Sequence, residues 1–73
     1  MSERLPVLRS KQVASALVKA GFVLIRQKGS HAQYRKGTLT VTVPMHTGDI
    51  AMGTMKSILR QARMTSGEFK NFH

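Results

Sequence analysis

Residues 38–44 read Thr-Leu-Thr-Val-Thr-Val-Pro, and no other stretch restricts the fold of this chain as tightly. Leu39, Val41 and Val43 alternate with Thr38, Thr40 and Thr42, the period of two that sends successive side chains to opposite faces of a strand. A strand with one apolar and one polar face belongs in an antiparallel sheet covered on one side only. Pro44 ends it, and Lys36-Gly37 marks the turn from a preceding strand.

The neighbouring segments supply the rest of such a layer. Ser10 is placed to cap a helix through KQVASALVKA, with Val13, Leu17 and Ala20 on one face, and Gly21 offers the left-handed residue that ends helices. Phe22 to Lys28 is a strand by its β-branched and aromatic content, although four consecutive apolar residues leave its buried face open. Gly29-Ser30 makes a tight connection into a second strand, HAQYRK. After a polar loop, Met55, Ile58, Leu59 and Ala62 form a second helical stripe, and Thr65 stands a capping-box spacing before Glu68 in a short closing helix near residues 66–72. Methionine at helical spacing is core material in this reading. Neither helix can bury its stripe alone, so both are expected on one face of the sheet, leaving the other bare.

The expected fold is thus α+β, in the order α-β-β-β-α plus a short C-terminal helix. The 73 residues suffice for one domain, 1–73, with 1–9 as a flexible or loosely packed arm and His73 as a disordered end. A domain this small does not enclose a large cavity, so any site should lie on an open surface. There is no cysteine, hence no disulfide framework or thiolate metal site. No signal-like or membrane-spanning apolar run occurs, and a soluble cytoplasmic protein is expected, with no membrane partner.

Charge names the class of partner. Lys and Arg number 12 against 3 acids, a formal +9, and no acid occurs between Glu3 and Asp49. Arg4, Arg9, Lys11, Lys19, Arg26, Lys28, Arg35 and Lys36 all fall in that interval. Solubility alone needs no single-sign excess this large, whereas a polyanion such as nucleic acid does.

Within that interval His31 follows Gly29-Ser30 among cations. On a strand His31, Gln33 and Arg35 share a face, and Ala32 and Tyr34 the other. If Ala32 and Tyr34 join the apolar set of the third strand, His31 and Arg35 lie on the bare face. An imidazole can accept the proton of a ribose 2′-hydroxyl near neutral pH. Lys28, Arg35 and Lys36 are candidates to hold phosphate, Gly29 to admit close approach, and Ser30 or nearby backbone N–H groups to donate to a phosphate oxygen. The competing reading of His31 is an exposed residue with no role. His46, just past the third strand, is a possible second catalytic group, against the plainer reading of a loop histidine that stabilises a turn or contacts phosphate. His31, His46 and Asp49 lack the short paired spacings of zinc sites, and three acids cannot furnish a two-metal nuclease, so no metal or other cofactor is expected.

Taken together, GFVLIRQKGSHAQYRKG, VTVPMH and GTMKSILRQARMTSGEF resemble the HicA toxin family of bacterial toxin-antitoxin systems, over Ser10 to Phe69. The Gly-Ser-His corner, the Val-Pro-x-His strand end and the Gly-Thr-x-x-x-Ile-Leu helix follow in the family's order and spacing. The resemblance implies a double-stranded-RNA-binding-like fold and a ribosome-independent mRNA-cleaving toxin, with translation and growth inhibited. It also implies that His31 of Gly-Ser-His is catalytic and that a HicB-like antitoxin masks its face. Two positions depart from the family: Ala32 stands where many members have a second His or a bulky residue, and Arg63 where the second helix usually ends at Gly. The alternative function is a non-catalytic RNA-binding module of the same fold. A further reading makes the cationic face the dock for an acidic antitoxin, which is compatible with cleavage.

Overall fold

The computed structural model describes residues 7–72, so the expectations on residues 1–6 and on His73 lie outside the described residues. Along the chain come α1 (Ser10–Lys19), β1 (Val23–Lys28), β2 (His31–Lys36), β3 (Leu39–Pro44), α2 (Met52–Ala62) and α3 (Ser66–Lys70), the expected order. The strands form one antiparallel sheet in the order β1-β2-β3.

The alternation of β3 decides the sheet's two faces. Val41 pairs with Tyr34 and Val43 with Ala32, and all four are buried under the helices. Val13, Ala16 and Leu17 of α1 and Met55, Ile58, Leu59 and Ala62 of α2 complete that layer, with Phe69 of α3. Truncating a fully buried side chain such as Leu17 or Phe69 to Ala is expected to cost about 2–5 kcal/mol, a large share of what holds a small domain folded.

Helix ends follow local chemistry with one correction. Arg9, not Ser10, is the N-cap of α1, and its N–H donates to Oε1 of Gln12 at 2.9 Å. Ser10 is the first helical residue, 3% exposed, and its hydroxyl donates to the Pro44 carbonyl at 2.6 Å. The end of β3 offered that hydroxyl a partner that local sequence could not reveal. Gly21 has φ +103° and allows Phe22 N–H to reach back to the Leu17 carbonyl, the closing bond of a left-handed helix end. At the end of α2 the same backbone role falls to Arg63, with φ 54° and ψ 45°. A side chain in that region costs roughly 1–2 kcal/mol. α3 is shorter than expected, but its capping box is formed: Thr65 N–H donates to Glu68 Oε1 and Glu68 N–H to Thr65 Oγ1.

Of the expected arm, residues 7–9 are described. Leu8 is buried, its carbonyl accepts from Ile50 N–H, and the backbones of Arg9 and Asp49 form an isolated antiparallel β-bridge, so the chain is docked from Leu8 onward.

The two sheet edges differ. Beside β3, Gln61 of α2 accepts the Thr42 N–H at 3.0 Å and closes the edge with a side chain. β1 carries no such cover: all six residues are exposed, and a bulge between Leu24 and Arg26 breaks the pairing. A bulge kinks an edge strand and discourages pairing with another chain. It also shifts the alternation, so that Val23, Arg26 and Lys28 share the open face opposite Arg35, Gln33 and His31.

Candidate nucleic-acid interface

The β1-β2 hairpin turns on Gly29-Ser30, with Gly29 at φ +57°, the Gly-first pattern of a two-residue loop. So short a loop pairs Lys28 with His31, and the next pair on that face is Arg26 with Gln33. Arg26, Lys28, Gly29, Ser30, His31 and Gln33 line an open depression of about 570 Å³, spacious enough for a nucleotide unit. A side chain added at Gly29 would meet nothing within 4 Å, so Gly29 serves the turn conformation rather than a close internal contact.

His31 is exposed at the start of β2, flanked by Lys28 on one side and Pro44 on the other. The sheet spans residues 23–44 and contains no carboxylate, so the cations of this face have no neutralising partner within it. A negatively charged chain therefore meets a positive field undiminished by acids on the same strands.

The sequence-derived candidates separate into two groups. Lys28, Gly29, Ser30 and His31 come together at one end of the sheet. Arg35 shares the open face, but four residues along a strand place it about 13 Å from His31, and its Nε donates to the Gly37 carbonyl at 3.0 Å. That separation is too long for Arg35 and His31 to meet one phosphate group. Lys36 projects to the other face. Its Nζ donates to the Ala20 carbonyl at 2.7 Å and lies 5.9 Å from the Phe22 ring centroid, so it caps the C-terminus of α1.

Arg26 and Gln33 were missed by sequence reasoning. The signal was available: a two-residue loop after Lys28 fixes the pair Lys28-His31, and two steps back along each strand give Arg26-Gln33. His46 lies beyond β3, beside the N-terminal turn of α1, in a hollow with Arg9, Ser10, Lys11, Gln12, Thr47 and Gly48. Its ring Nδ1 is 2.9 Å from the Thr47 carbonyl, which can only accept.

Aromatic platforms are lacking on the open face. Phe22, Tyr34 and Phe69 are buried and Phe72 packs against the core. Burial pushes the Tyr34 phenol above its ordinary pKa and keeps it neutral. No helix among the described residues is long and apolar enough to cross a membrane.

A family model described as HicA toxin of bacterial toxin-antitoxin matches residues 10–64, from the first residue of α1 through the end of α2. No curated protein matches the chain.

Proposed function

The chain belongs to the HicA toxin family and so is the toxin of a toxin-antitoxin system, with an antitoxin as partner; from that premise we propose that it is a ribosome-independent endoribonuclease that cleaves mRNA, with His31 as general base. The observation that carries this reading is an exposed histidine at an open, acid-free strand face, beside Lys28 and Arg26. His31 removes the proton of a ribose 2′-hydroxyl, the 2′-oxygen bonds to phosphorus, and the bond to the 5′-oxygen breaks. Lys28 and Arg26 hold the phosphate and offset the charge that builds in the transition state, and Ser30 lies within the same depression. The products are a 2′,3′-cyclic phosphate and a 5′-hydroxyl, and the loss of mRNA halts translation and growth. Arg35 steers the neighbouring strand. A HicB-like antitoxin neutralises the toxin by covering the His31 face, in competition with RNA.

The test is incubation of labelled mRNA with the protein and its His31→Ala variant in EDTA. Cleavage by the wild type alone, with cyclic phosphate ends, supports the reading. Equal RNA binding without cleavage by either protein makes the chain a non-catalytic binding module. Products with 3′-hydroxyl ends, or activity lost in EDTA, overturn the histidine route.

A further inference from the structure

We infer that Gln33 selects where the RNA is cut, by reading the edge of an adenine next to the scissile phosphate, an inference that rests on the ribonuclease reading above. Lysine and arginine hold phosphates, which are alike in every sequence, so Lys28 and Arg26 in that role carry no sequence information. Reading a base takes a group with a fixed pattern of donor and acceptor. Among the described residues that line the His31 depression, Gln33 has the one side-chain amide.

The four glutamines of the chain are used differently. Gln12 accepts the Arg9 N–H at the start of α1, and Gln61 accepts the Thr42 N–H while its Nε2 donates to Ser57 Oγ at 3.1 Å. Gln27 is exposed opposite Ala32, on the helix side of the sheet. Gln33 stands on the open face, and its amide makes no hydrogen bond to another described residue. It is half-buried in the central strand, with Arg26 of β1 on one side and Thr42 of β3 on the other, so its neighbours restrict where the amide can go. Such an amide takes its hydrogen bonds from water or from a ligand, and a matching base edge satisfies its donor and its acceptor together.

Two residues along β2 put Gln33 about 7 Å from His31 on the same face. With the scissile phosphate at His31, the amide meets the base of an adjoining nucleotide. Adenine presents an amino donor beside a ring-nitrogen acceptor on two edges, N6 with N7 and N6 with N1. The oxygen and nitrogen of the glutamine amide match that pair. The N7 and O6 of guanine both accept, which suits an arginine and leaves the amide oxygen unpaired.

The test is a pool of RNA with a randomised stretch, cut by the protein and sequenced at the new ends. Wild type is expected to cut beside adenine about tenfold or more above the other bases at one flanking position, the size of one bidentate base contact. Gln33→Ala should bring that preference to within about twofold of none, while junctions without adenine are cut within a few-fold of the wild-type rate, because His31, Lys28 and Arg26 remain. Gln33→Glu, whose carboxylate only accepts, should move the preference toward cytosine, whose N4 amino group donates. A residue that only holds the sheet together would, when replaced, slow every junction alike and leave the preference in place. That outcome overturns the inference, and so does a wild type that prefers another base or none; either leaves the ribonuclease reading standing. A wild type that leaves the pool intact overturns both. A circular-dichroism melt matching wild type shows that each variant is folded; where Gln33→Ala is not, Gln33→Met, of similar length and without the amide, takes its place.

Discussion

The two hairpin turns of this protein are close copies in sequence and present their lysines to opposite faces of the sheet. Lys28-Gly29-Ser30-His31 and Lys36-Gly37-Thr38-Leu39 each join two strands through a Gly-first loop, with Gly29 at φ +57° and Gly37 at φ +60°. In the first, the lysine lies opposite a histidine on the open face. In the second, it lies opposite Leu39 on the helix face, donates to the Ala20 carbonyl and rests near the Phe22 ring. What separates them is the face on which each strand ends. β1 ends with Lys28 on the bare side, while β2 follows Ala32 and Tyr34 and so delivers Lys36 to the side where α1 ends. A Lys-Gly turn thus presents its lysine to the helix layer or to the open face according to strand parity, and composition cannot distinguish them.

Substitutions at the two turns test that division. His31→Ala should have the largest effect, a fall in cleavage rate of about 100-fold or more with the melting temperature unchanged, measured by single-turnover assay and thermal denaturation. Next, Lys28→Ala should weaken RNA binding and reduce the slope of log affinity against log salt by about 0.7, the share of one phosphate contact on a single strand. The same salt slope for Lys28→Ala and wild type would remove Lys28 from the interface.

Lys36→Ala is the mirror experiment. It should keep the salt slope and lower stability by about 0.5–1 kcal/mol, a drop of several degrees in melting temperature for a domain of this size. A loss of RNA affinity without a loss of stability would collapse the distinction between the turns. A smaller effect of opposite sign is expected at Arg63→Gly, which relieves the left-handed strain at the end of α2 and should raise the melting temperature by a few degrees. The smallest concerns Tyr34, whose raised pKa means that the unfolded chain loses the phenol proton first as pH rises. Its contribution is complete below about pH 10 and declines above it. Tyr34→Phe should flatten that decline in urea titrations at pH 9 and 11.

Much of this arrangement was legible in the residues. The Thr-Leu-Thr-Val-Thr-Val run determined a half-covered antiparallel sheet because a period of two admits no other packing, and it placed Val41 and Val43 in the core. The Gly29-Ser30 loop determined the pairing of Lys28 with His31, because two residues suffice only for a hairpin. Parity along HAQYRK even placed Lys36 opposite to His31, although the pull of its charge obscured this. Charge pointed to a polyanionic partner, since a long-range field depends on the sum of charges more than on their exact positions.

Tertiary structure decided what depends on contacts between distant segments. Ser10 left its expected capping place because residues 34 positions away at the end of β3 provided the Pro44 carbonyl. Val23 reached the open face only because the bulge between Leu24 and Arg26 shifted the alternation of β1. Arg63 accepted a glycine's conformation because packing of Ala62 and Phe69 outweighs a local cost of about 1–2 kcal/mol. His46 came beside the start of α1 because its backbone N–H donates to the Ser10 hydroxyl, 36 positions away in sequence. Periodicity and turn chemistry act over a few residues and can be read along the chain. Register, edge closure and the meeting of distant side chains depend on how whole elements pack, and only the folded molecule resolves them.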